Sequence, residues 1–113
     1  MAENKLAIGK FLEGITDSMV RTELILFFHR NQFAMDVSSN IARWIGRDVR
    51  AVEKELDGLV EQGILDKMGD GPSAIYSYTQ DLETIEVIDR FCHELTLGRE
   101  KVRRAMEYLR TSE

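Results

Sequence analysis

A mainly α-helical domain with one small β-hairpin is the fold class this sequence predicts, and three observations predict it. Apolar residues recur at helical spacing on both sides of Gly46, with Val37, Ile41, Ala42 and Ile45 before it and Val52, Leu56, Leu59 and Val60 after it. Two short strand-like runs, 64–68 and 74–79, flank Gly69, Asp70, Gly71 and Pro72, whose glycines tolerate positive φ and whose proline fixes a bend. A long helical pattern then occupies residues 81–110. Two helices meeting at a glycine turn and running into a hairpin need one shared core, because none of these pieces can bury its apolar side alone.

In chain order, Ile8, Phe11, Leu12 and Ile15 share one narrow face and predict a helix over 5–15, which Gly9 and Gly14 weaken. Thr16, Asp17 and Ser18 are all suitable N-cap residues for a helix over 18–30. The middle of that helix is Leu24, Ile25, Leu26, Phe27 and Phe28, apolar on most sides, so it is expected to be covered from more than one direction. Phe33, Ala34 and Met35 fit a short strand, after which Asp36 is placed to cap the first helix of the pair and Asp48 the second. In the last segment Leu82, Ile85, Ile88, Phe91, Cys92 and Leu95 are joined on the same stripe by Val102, Met106 and Leu109. That phase requires one helix continuous through Gly98, about 45 Å long, more than a domain of this size covers by itself.

At 113 residues and 43% apolar content the chain predicts a single domain with a substantial core. It divides into an N-terminal helix (1–16), a core (17–79) and a C-terminal helical segment (80–113). No apolar run approaches the roughly 20 residues that span a bilayer, and no signal-peptide pattern opens the sequence, so a cytoplasmic, non-membrane protein is expected. The lone Cys92 cannot form an intramolecular disulfide. The net charge is −5. Residues 1–35 carry four acidic and four basic side chains, 36–79 eight and five, and 80–113 eight and six, so any surface for a polyanion has to be local.

Residues 17–79 resemble a winged helix-turn-helix domain of small bacterial and archaeal transcription regulators. The resemblance rests on the spacing of Ala42, Ile45, Gly46, Val52, Leu56 and Leu59, on Gly63, Ile64 and Leu65, and on the glycine-tipped hairpin that ends in Tyr76, Ser77, Tyr78 and Thr79. Size and layout are similar to the arsenical-repressor and multiple-antibiotic-resistance regulator groups. That similarity implies a homodimer built by helices outside the winged core, here Ile8, Phe11 and Leu12 with Ile85, Ile88, Phe91, Leu95, Val102, Met106 and Leu109. It implies double-stranded DNA as partner and leaves room for a small-molecule or protein effector. The cysteine motif of metal-sensing members is missing: Ala51 and Glu53 stand in that region.

In such a pair the second helix, about 48–62 here, enters the major groove and reads bases with its N-terminal turns. With Val52 at the centre of the buried face, Arg50, Lys54, Asp57 and Glu61 lie opposite, and Arg47 just precedes the helix. Basic residues gather at the reading end and acidic ones at the other. Arg50 is the candidate for a guanine edge. Lys54 and Arg47 suit a base or a phosphate, while Ser38, Ser39, Asn40 and Arg43 on the preceding helix suit phosphate oxygens. Lys67 is the wing's basic residue, and Asp70 at its tip argues against a minor-groove contact. The competing reading is a winged-helix protein-interaction module, favoured by the acidic balance and by Glu53.

Other residues carry less. Cys92 and His93 with His29 do not have metal-ligand spacing, because adjacent helical residues point about 100° apart, so no metal and no cofactor is expected. Cys92 is expected to be a buried thiol, and both histidines to lie at or near the surface. Trp44 flanks the face of Val37 and Ile41, which favours packing at the core's edge. No phosphate-binding glycine loop, nucleophile elbow or histidine-rich motif occurs, which argues against an enzyme.

Overall fold

The computed structural model describes residues 18–111, with side chains as far as Glu107. The expected helix over 5–15, with Ile8, Phe11 and Leu12, lies outside the described residues, as does the side chain of Leu109. The element order is α1 (Met19–Arg30), β1 (Met35–Val37), α2 (Ser38–Ile45), α3 (Val49–Glu61), β2 (Leu65–Met68), a 3-10 turn (Gly71–Ser73), β3 (Ile75–Tyr78) and α4 (Leu82–Thr111).

Ser18 starts α1 by accepting the Arg21 backbone N–H at 3.3 Å, and Asn31 ends it by donating its backbone N–H and its side-chain amide to the Phe27 carbonyl. Leu24, Ile25, Leu26 and Phe28 are all buried, so α1 is covered on more than one side as its sequence requires. The strand after it is displaced from the expected 33–35. The Ala34 N–H closes a turn on the Asn31 carbonyl at 2.9 Å, Phe33 is left 97% exposed, and pairing begins at Met35. Asp36 therefore lies in the strand and is not the cap of α2. The cap position is Val37, which has no side-chain acceptor, while Asp36 Oδ1 accepts the Val37 N–H and the Asn40 amide, each at 2.8 Å.

α2 stops at Gly46, whose left-handed conformation (φ 70°, ψ 39°) an L side chain would strain. Asp48 then caps α3, accepting the N–H groups of Arg50 and Ala51. The three strands form an antiparallel sheet in the order β1-β3-β2, with Val37, Ile75 and Met68 in one cross-strand row. Asp81 accepts both the Thr84 N–H (3.0 Å) and hydroxyl (2.6 Å) at the start of α4. α4 runs 30 residues without a break at Gly98, as the phase of its apolar stripe demanded.

The core joins Leu24, Ile25 and Phe28 of α1 to Ile41 of α2, to Val52, Leu56 and Leu59 of α3, to Ile64, Leu65, Tyr76 and Tyr78 of the hairpin, and to Ile88 and Cys92 of α4. Cys92 is buried as expected, and that burial pushes its thiol up to about 11. Ile88 is fully buried within the chain, so it cannot also face a second copy; the stripe's first half is occupied by α1. Ile85, Phe91 and Leu95 are half-buried against the same core. α4 exposes Leu82 in its first turn and, beyond Leu95, Leu97, Val102 and Met106.

Candidate nucleic-acid interface

The sequence orients α3 through three buried residues: Val52, Leu56 and Leu59 take one face into the core, which turns Arg50 and Lys54 outward. Gly46 and Asp48 fix the angle at which α3 leaves α2. The helix is then clamped from both sides by charged pairs. On the α1 side, Arg21 meets Glu55, and Arg47 gives two bonds to Glu23, Nε to Oε2 at 3.0 Å and Nη2 to Oε1 at 2.6 Å. The Arg47 hydrogen bonds hold the Glu23 carboxyl below its ordinary range, and the same contact raises Arg47. On the wing side, Asp57 accepts the Tyr76 hydroxyl at 2.7 Å and Lys67 Nζ at 3.0 Å. Those bonds, Tyr76 first, lower Asp57 despite partial burial; the Tyr76 phenol is raised mainly by burial, and Lys67 is raised mainly by its bond to Asp57.

These clamps sort the acidic residues of α3. Glu53 accepts the Ser38 hydroxyl at 2.9 Å, Glu55 faces Arg21, and Asp57 faces the wing. Three of the four carboxylates of α3 are thus drawn onto partners within the chain. Outward near the N-terminal end of α3 stand Arg50, Lys54 and, on α2, Arg43, all exposed and without a carboxylate partner among the described residues, together with the exposed cap residue Asp48.

The expected site residues consequently divide. Arg43, Arg50, Lys54 and Ser39 are exposed. Arg47 and Lys67 are engaged by Glu23 and Asp57, Asn40 donates its amide to Asp36, and Ser38 is 3% exposed with its hydroxyl given to Glu53. Ser38 is therefore not an open phosphate donor in this arrangement. Trp44 reverses its expectation outright. It is 75% exposed and, with Asn40 and Arg43, lines an open hollow of about 370 Å³ on the outer face of α2. Ile41, Ala42 and Ile45 already fill the inner face of that eight-residue helix, and Trp44 is turned roughly 100° from their centre. That angle was the available signal.

Away from this surface, His29 Nε2 lies 3.3 Å from Asp89 Oδ1, and no three metal-ligating side chains come together among the described residues. No described helix is long and apolar enough to cross a membrane.

No protein-family profile and no curated protein sequence matches the chain. Solved structures do. RV1404 from Mycobacterium tuberculosis is 17% identical with a TM-score of 0.58, over 95% of this chain and 69% of that one. MepR, a transcription regulator of the Staphylococcus aureus multidrug efflux pump MepA, is 15% identical with a TM-score of 0.54, over 98% of this chain and 90% of that one. Likeness at these identities speaks to architecture. It agrees with the helix pair, the three-stranded sheet and the hairpin built above: the chain has the winged helix-turn-helix fold.

Proposed function

We propose that the chain is a sequence-specific DNA-binding transcription regulator that acts as a homodimer, with the N-terminal turns of α3 in the major groove. One observation carries the reading. The acidic side chains Glu53, Glu55 and Asp57 are bound internally, while Arg50, Lys54 and Arg43 stay outward and unpaired among the described residues. A protein with net charge −5 can still meet a polyanion if its cations are concentrated where the helix enters the groove. In this reading Arg50 bonds a guanine edge, Lys54 a base or a phosphate, and Arg43 and Ser39 the backbone. MepR, described as a transcription regulator and alike in fold, is consistent with that assignment. The dimer is supported by the exposed Leu97, Val102 and Met106 on the outer half of α4.

Selection of DNA from a random-oligonucleotide pool with the purified chain tests the reading. Arg50→Ala should cost about tenfold at a selected site and relax the preference for one base pair, whereas Arg43→Ala should weaken every sequence alike. Equal, sequence-independent losses for both would remove direct readout by Arg50. Sedimentation velocity at micromolar concentration should give a dimer that Val102→Glu with Met106→Glu converts to monomer. A wild-type monomer would contradict the dimer and its paired half-sites.

A further inference from the structure

The hollow on α2 has an unusual floor for a surface: a tryptophan. Trp44 is 75% exposed, although an indole offers roughly 150–250 Å² for burial. Asn40, Arg43 and Trp44 stand at i, i+3 and i+4, so they share one face of α2. Arg43 supplies that face with a cation that has no carboxylate partner among the described residues. Asn40 on this face is bonded to Asp36, whose Oδ1 accepts the Asn40 amide and the Val37 N–H. The face is therefore an apolar plate beside a positive charge that has no carboxylate partner among the described residues.

We propose that this face is a seat for the sugar-phosphate backbone of duplex DNA, in which the Trp44 ring packs on a deoxyribose and its Nε1–H donates to the adjoining phosphate that Arg43 neutralises. The proposal rests on the DNA-binding reading and adds to it a residue that contributes affinity without sequence preference. Sugar and phosphate are one chemistry that an indole and a guanidinium match together: an apolar ring and an anion, a few ångströms apart. In a helix-turn-helix pair the first helix crosses the backbone while the second enters the groove, and the proposal seats the strand on this face of it. Contacts of that kind position the protein and carry no base information.

Trp44 is the chain's single tryptophan, so its emission reports this site alone. The full chain is titrated with a labelled random-sequence duplex at low salt, reading label anisotropy and tryptophan emission in parallel. Emission should be quenched or shifted along the same isotherm as the anisotropy. Trp44→Ala, which removes an exposed side chain and should keep the native circular dichroism, should weaken binding by roughly three- to tenfold on every sequence, and Trp44→Phe should recover most of that loss. Anisotropy that rises while emission stays constant and Trp44→Ala binds within twofold would overturn the Trp44 seat and leave DNA binding in place. No anisotropy change at any concentration would overturn both.

Discussion

Arg47 gives both of its guanidinium contacts to Glu23, while Arg50, three residues on, has no carboxylate partner among the described residues. Local spacing cannot tell these two arginines apart, because the residue that separates their roles lies 24 positions away in α1. The Asp57 clip is equally non-local, since Tyr76 is 19 residues distant. Sequence reading thus recovers which side chains point outward, from Val52 and its helical phase, but not which of them are already engaged. Two outcomes follow at this scale. Glu23→Gln should release Arg47, lower the thermal midpoint and steepen the dependence of DNA affinity on salt by about one counterion; an unchanged salt slope would show that Arg47 is not kept from the phosphates by Glu23. For Asp57, the folded chain keeps the carboxylate ionised to lower pH than the unfolded chain does, whose value is near 3.8. Its contribution is complete above that value and is lost as pH falls through the depressed folded value. Urea midpoints followed from about pH 6 downward should therefore drop less for Asp57→Asn than for the natural chain.

The described helices were legible from their periodic faces, with local starts at α1 and α3 and a local stop at α2. Ser18 and Asp48 cap where a residue with a short acceptor side chain precedes an apolar repeat, and Gly46 stops α2 with a backbone conformation that its residue type favours. β1 was legible only in kind. Three residues carry little pattern, and pairing with Ile75, Tyr76 and Ser77 across the sheet, not the apolarity of Phe33, selects which three. Glycine positions offer a paired test of these elements. Gly46 has φ +70°, so Gly46→Ala should destabilise by about 1 kcal/mol although nothing lies within 4 Å of the added Cβ. Gly98 is helical with the same open space and no positive φ, so Gly98→Ala should stabilise α4 by about 1 kcal/mol. Thermal melts of the two variants should move in opposite directions; a loss of stability in Gly98→Ala would contradict the open space at that position.

At the scale of the whole molecule, folding draws three of the four α3 carboxylates, Glu53, Glu55 and Asp57, onto α2, α1 and the wing, and leaves Arg43, Arg50 and Lys54 outward. The acidic balance favours a protein partner, and these long-range pairs are what the proposed DNA-binding reading sets against it. They also set a quantitative limit. With Arg47 and Lys67 engaged, the proposed surface keeps at most three cations for the duplex among the described residues, Arg43, Arg50 and Lys54, so the coupling to salt should be shallow for a DNA-binding protein. The most direct test is anisotropy of a labelled duplex across a salt series, for the natural chain and for Arg50→Ala with Lys54→Ala. The account predicts binding at low salt, a slope of log K against log salt of about −3 per protomer, and loss of most of the affinity in the double variant. Failure to bind at the lowest salt, or equal affinity of the double variant, would contradict it.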